Sequence, residues 1–205
     1  MVKATKDNRP FSSGVFDLEE FNIYTKVIDL PLDGIPTYLE EGINGVCTGG
    51  SALFNVFSNK RRVVKNDLIT IFPYQLASIT EISTDFAVIF FKVPKKLFMD
   101  TINGLGRLTL DYFFYMRKYY SSPLSEEEYK RFVHFCHILS CRVDLSCAFL
   151  RRESVMYLLR VYYWDLYVGY KSNPKAMASV KFVRKEKQAL ELILSQNLIK
   201  PQTTD

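Results

Sequence analysis

Across residues 1–92 short apolar runs alternate with turn residues. "NIYTKVIDL", "PTYLEEG", "SALFNVFS", "RRVVKN", "DLITIFP", "LASITEIS" and "DFAVIFFKV" are rich in Val, Ile, Phe, Tyr and Thr. Between them stand Asp33-Gly34, Gly42, Gly49-Gly50, Ser58-Asn59, Asn66-Asp67 and Ser83-Thr84-Asp85. β-Branched and aromatic runs bounded by such residues read as strands. About seven or eight of them at near-regular spacing predict a sandwich or barrel. "ALFNVFSNKRRVV" predicts a hairpin across a Ser-Asn-Lys turn. "FAVIFFKV" has no polar alternation, so both faces of that strand are expected to be covered.

After Pro94 the period changes. "PKKLFMDTI" opens with proline at a first helical turn. "RLTLDYFFYMRKYY" is apolar at Leu108, Tyr112, Phe113 and Met116 and reads as helix or mixed structure. In "SEEEYKRFVHFCHILSCRV", Ser125 followed by Glu128 forms a capping box, and the acids suit the positive helix end. Tyr129, Phe132, Val133, Cys136, Leu139 and Val143 then keep the helical period. A longer helix is predicted over about 147–170 with two apolar stripes. One is Ala148, Arg152, Val155, Leu159, Tyr162 and Leu166; the other is Leu150, Tyr157, Val161, Trp164 and Val168. Two stripes allow one face to be buried at home and another to meet a partner. Asn173-Pro174 ends this helix, and a last one is predicted near 180–196.

Composition narrows the class. The chain has 205 residues, 48% of them hydrophobic, with 16 Phe and 13 Tyr, enough for a sizeable ring-filled core or a ring-lined cavity. No run approaches the roughly 18 apolar residues of a membrane span, and the first residues lack an apolar signal core. Four cysteines without a secretion signal are expected to be free thiols in a reducing cytoplasm. Segment 171–187 holds six Lys/Arg against one Glu, so it carries the whole formal excess of +5. Such a stretch suits nucleic acid or an anionic surface, or simply a solvated linker.

Candidate chemistry is sparse. Both histidines, His134 and His137, share a helical face with Cys141, but there is no Cys-x-x-Cys and no second ligand pair, so no metal or cofactor is expected. No histidine lies in 1–92, which removes a histidine-centred metal site from the strand region and weakens any His-based nucleophile there. Asn103-Gly104-Leu105-Gly106 lacks the lysine of a phosphate loop and reads as a turn. Glu40-Glu41 and Glu126-Glu127-Glu128 are adjacent carboxylates that diverge in strand or helix, as on a solvated face or a cap.

Several details converge on one family. They are the small-residue turn before "ALFNVF", Asn55 within it, the Asn-Asp corner before "LITIFP", Pro73, and Ser83, Asp85 and Phe86 before the last strand. Over roughly residues 15–196 the chain resembles the N-terminal sensor and dimerisation part of AraC-type bacterial transcription regulators. The resemblance implies an α+β chain: a cupin-like β-barrel sensor at 15–93, a helical dimerisation region at 94–172, and at 173–205 a basic linker with the first helix of a DNA-binding domain. In that family the barrel is a receptor pocket rather than a metal cradle. The two helix-turn-helix units would follow 196, so contact with DNA is expected only through a C-terminal domain not present in this chain, with Lys181, Arg184, Lys185 and Lys187 leading into it.

The reading is a non-catalytic, cytoplasmic module that binds an unknown small-molecule effector, forms a homodimer, and has no membrane segment. Polar side chains on the strands, Tyr38, Asn55, Tyr74 and Gln75, are the expected effector contacts. Val155, Leu159, Tyr162 and Leu166 are the expected dimer contacts. The alternatives are a cupin-fold protein–protein adaptor, or a cupin-type enzyme, which lacks its usual ligands here.

Overall fold

The computed structural model describes residues 21–106 and 108–172. Nine strands come in the order β1 (Ile23–Tyr24), β2 (Thr37–Tyr38), β3 (Glu41–Gly49), β4 (Ser51–Val56), β5 (Asn59–Val64), β6 (Asp67–Ile71), β7 (Leu76–Thr80), β8 (Ala87–Pro94) and β9 (Ser121–Pro123). Four helices join them: α1 (Lys95–Asn103) and α2 (Leu110–Lys118) before β9, then α3 (Glu126–Val143) and α4 (Ala148–Ser172). The fold class is α+β.

The strands form two antiparallel sheets, ordered β1-β8-β3-β6-β9 and β2-β7-β4-β5. The expected closed barrel is therefore corrected to an open pair of sheets. The reason lies at the corners, where the chain changes sheet instead of pairing onward around a ring. Each of the four crossings between β3 and β8 carries one residue in the left-handed region: Gly50 (φ 62°), Asn66 (70°), Tyr74 (65°) and Glu81 (48°). At the first, a Cβ on Gly50 would lie 2.5 Å from both Phe86 N and Ser83 Oγ, so only glycine fits. Ser83 fixes this corner: its Oγ donates to Asp85 Oδ1 (2.7 Å) and accepts from Ser51 N (2.8 Å). At the second, Asp67 Oδ2 accepts from Val64 N at 3.1 Å. The β4–β5 hairpin turns on Phe57 and Ser58, one residue earlier than the expected Ser-Asn-Lys turn, because Val56 pairs with Asn59.

The five-stranded sheet is covered on both sides, as the unbroken run in β8 predicts. Its inner face packs on the other sheet through Ile43, Cys47, Ile69, Ile71, Val88 and Phe90, against Ala52, Phe54, Val56, Ala77 and Ile79. Its outer face presents Val46, Leu68, Phe72, Phe91 and Val93 to the helices. Burying each such side chain stabilises the fold by about 1.5–3 kcal/mol relative to exposure. Gly45 permits the close approach of β3 and β8, since a Cβ there would lie 2.5 Å from Phe90 Cβ.

Two buried polar contacts register α4 on this sheet. Asn44 Nδ2 donates to Tyr163 Oη at 3.2 Å, and Thr70 Oγ1 lies 3.2 Å from Tyr162 Oη. Asn44 and Thr70 are direct cross-strand partners, so consecutive tyrosines on the helix meet adjacent positions on the sheet. The predicted capping box opens α3: Ser125 Oγ accepts from Glu128 N, and Glu128 Oε2 accepts from Ser125 N at 2.8 Å. That bond holds the Glu128 carboxyl below its ordinary range.

Removing one partner of a buried hydrogen bond leaves the other desolvated and unpaired. Tyr163→Phe is therefore expected to lower unfolding free energy by about 1–3 kcal/mol in urea titrations. The paired change Asn44→Leu with Tyr163→Phe removes both polar groups and should recover most of that loss, a non-additivity that a double-mutant cycle reads directly.

Burial raises the phenols of Tyr112, Tyr162 and Tyr163 well above the tyrosine range, and pushes Tyr120 up to about 12. An unfolded tyrosine ionises near about 10. Between these values the unfolded chain releases protons that the folded chain retains, so stability falls as pH rises. Alkaline titration should show phenolate absorbance of these groups appearing together with loss of the circular dichroism signal, from about pH 10 upward.

Candidate functional site

The space between the sheets is not a receptor cavity lined by polar groups. Leu39, Ile43, Phe54, Val63, Ile71, Phe86 and Phe90 fill it, and Tyr120 reaches in to donate its hydroxyl to the Phe54 (2.9 Å) and Asn59 (3.1 Å) carbonyls. Aromatic wealth here serves packing.

The expected effector contacts separate. Asn55 sits on the outer face of β4, opposite the inward Phe54 and Val56, and its Oδ1 has no partner among the described residues. Gln75 is buried, and its Oε1 accepts from Phe72 N at 3.2 Å, bracing the turn before β7. Tyr38 and Tyr74 do come together. Both are exposed, and they line a cleft of about 860 Å³ at one end of the sheets with Glu40, Glu41, Lys95 and Lys96. The Lys95 ammonium stands 4.7 Å from the centre of the Tyr74 ring, and Lys92 pairs with Glu41 at 3.5 Å. This mouth carries both signs of charge and an apolar ring at each side.

A second cleft, of about 880 Å³, opens between α2, α3, α4 and the β6–β9 edge. Its floor includes Leu68, Thr70, Tyr120, Phe132 and Tyr162; its rim includes Arg131, His134 and Asp165. Sequence reading missed it because its walls come from five separate elements, and β9 carries only Ser-Ser-Pro, which has no apolar pattern. The one local signal was the ring density of α2.

The α4 stripes take definite places. Val155, Leu159 and Tyr162, expected at a dimer surface, are buried in the chain's own core, while Leu166 is half-buried at the second cleft. Left outside is the other stripe: Leu150, Tyr157, Val161, Trp164 and Val168 are 39–59% exposed. From 157 onward its spacing is four, three, four, the repeat of a coiled-coil seam. Arg152, on the first stripe, pairs instead with Asp100 of α1 at 2.8 Å.

His134, His137 and Cys141 ride α3, with His137 and Cys141 exposed. Among the described residues no three His, Cys, Asp or Glu come together as a metal site, and no helix is long and apolar enough to cross a membrane. Burial pushes the Cys136 thiol up to about 12 and raises Cys47 as well, so neither is a ready thiolate. Lys181, Arg184, Lys185 and Lys187, and the helix expected near 180–196, lie outside the described residues.

No family model matches the chain, and no curated protein matches it. Among solved structures it is similar to a point variant of apo ToxT from Vibrio cholerae, at 10% identity and a TM-score of 0.42, over 75% of this chain and 54% of that one. It is also similar to the AraC-like transcriptional activator CuxR, at 10% identity and a TM-score of 0.34, over 62% of this chain and 43% of that one. The chain thus spans about half the length of these structures or less, and likenesses this distant do not bear on function.

Tyr74 holds a left-handed backbone that costs a non-glycine residue about 1–2 kcal/mol. Tyr74→Gly is expected to raise the melting temperature by the equivalent of about 1 kcal/mol, despite loss of the Lys95 contact, as read by thermal denaturation.

Proposed function

We propose that this chain is the non-catalytic regulatory part of an AraC-type transcription regulator, with a cupin-like pair of sheets and a helix layer that joins two copies. The sequence resemblance over roughly residues 15–196 supports the family, and the order of sheets followed by a helix pair agrees with it. The carrying observation is the exposed stripe on α4, Leu150, Tyr157, Val161, Trp164 and Val168, which gives a helix two apolar faces, only one of them used at home. A large apolar strip left in water marks an interaction surface, and seam spacing suits a like helix from a second copy. DNA contact belongs to helix-turn-helix heads outside the described residues, and effector binding sets how the two copies present them.

Sedimentation velocity tests the dimer. Val161→Glu with Trp164→Glu is expected to give a folded monomer, with self-association weaker by on the order of 100-fold, since two buried apolar side chains are lost and two charges are brought together. Leu159→Glu buries a charge in the protomer core and should unfold the chain. A double variant that stays dimeric at micromolar concentration refutes the stripe as the interface.

A further inference from the structure

We propose that the cleft between α2, α3, α4 and the β6–β9 edge is a binding site for a small planar aromatic acid, and that this is where the effector enters. Size comes first: about 880 Å³ lies within the roughly 300–1,000 Å³ of small-molecule sites. Ring surface sets the class. Tyr115, Tyr119, Phe132, Phe135, Tyr162 and Tyr170 line it, and Phe135 stacks on Tyr162 with centroids 5.5 Å apart and planes at 17°. Such walls favour a flat, apolar body, and an offset ring adds about 0.5–1.5 kcal/mol beyond its area. At the floor, the paired hydroxyls of Thr70 and Tyr162 supply a fixed polar point.

Charge at the rim orients the ligand. Arg131 and His134 lie one turn apart on α3, so both reach the same side. Arg131 offers a carboxylate or sulfonate a planar two-point contact. Glu128, also at the rim, is tied to the α3 cap through Ser125, and the nearby Arg131 charge adds a smaller part to holding its carboxyl down, so an incoming acid shares Arg131 with it. Asp165 on α4 repels a second negative group and directs the acid toward α3. Gly169 leaves room on the α4 wall. It lies inside the helix, where glycine costs about 1 kcal/mol against alanine, and a Cβ built there meets nothing within 4 Å.

This site deepens the regulatory reading, and rests on it for its purpose. Val161 belongs both to the cleft lining and to the exposed stripe, so a ligand in the cleft touches the surface on which a second copy is expected.

Anilinonaphthalene sulfonate, a planar aromatic anion, is the probe. Fluorescence titration of the full chain should saturate at one probe per chain. A Cβ at Gly169 meets nothing within 4 Å, so Gly169→Leu should retain the wild-type circular dichroism spectrum and bind the probe about tenfold more weakly or worse. Gly169→Ala is the milder control, with a raised melting temperature and intermediate binding. Arg131→Gln should weaken the sulfonate probe and leave uncharged phenylnaphthylamine unchanged. Trp164→Glu, on the outer stripe, should leave probe binding unchanged, including in a protein that sediments as a monomer. Wild-type affinity in Gly169→Leu overturns the site, as does loss of binding in Trp164→Glu with none in Gly169→Leu, which places the probe on the stripe.

Discussion

The five-stranded sheet has no face to give to water, and the rest of the molecule follows from that constraint. β8 carries Val88 and Phe90 toward the second sheet and Ile89, Phe91 and Val93 toward the helices. Without the helix layer, Val46, Leu68, Phe91 and Val93 would all be exposed, at a cost of about 1.5–3 kcal/mol each. The helices are therefore the third layer of one core. Apolar packing alone is tolerant of sliding, whereas the Asn44–Tyr163 and Thr70–Tyr162 contacts are not. They fix α4 to one register, because a shift of one residue would leave buried polar groups unpaired.

Legibility in the sequence followed the locality of the cause. The strands between 51 and 94, the capping box at Ser125 and the double stripe of α4 rest on short-range pattern or turn chemistry and were readable, whereas β3 was not, because Gly42 and Gly49 at its two ends read as turn residues. The absence of a closed barrel was not, because it depends on where each corner sends the chain. Four left-handed residues at sheet crossings decide that, and only Gly50 and Asn66 advertise such a backbone; Tyr74 and Glu81 do not. β9 was invisible for a related reason, since three small residues pair with β6 only after α2 has delivered them.

The α4 stripes show why periodicity names faces but not their partners. Both stripes are apolar at helical spacing, and nothing in the pattern ranks them. What decides is the sheet: Tyr162 and Tyr163 carry hydroxyls that Asn44 and Thr70 can meet, and this draws Val155 and Leu159 inward with them. Trp164 and Tyr157 are then turned outward by geometry. Among the expected effector contacts, Asn55 parts from Tyr38 and Tyr74 for a parallel reason. Strand residues two apart share a face while neighbours do not, so Asn55 points away from the inter-sheet space that Phe54 fills.

These contacts also constrain how a signal could pass through α4. Sliding the helix by a turn breaks both buried hydrogen bonds, at about 1–3 kcal/mol for each group left unsatisfied. Coupling between an effector and a distant site amounts to about 1–3 kcal/mol in total. The slide costs more than the signal carries, so α4 is a fixed strut rather than a moving rod. A ligand in the cleft has a cheaper route. On its far wall α2 meets the sheet and α4 through rings, Tyr112 against Phe72, Tyr167 and Tyr170, and Tyr115 against Tyr170, contacts that can repack at fixed backbone register. On the α4 side Val161 is half in the cleft and half on the seam, and Asp165 lies one turn further along the same helix. Rearrangement of these exposed side chains alters the seam without disturbing Asn44 or Thr70. A ligand held there would bias the shape and charge of the outer α4 stripe while the register of the core stayed unchanged.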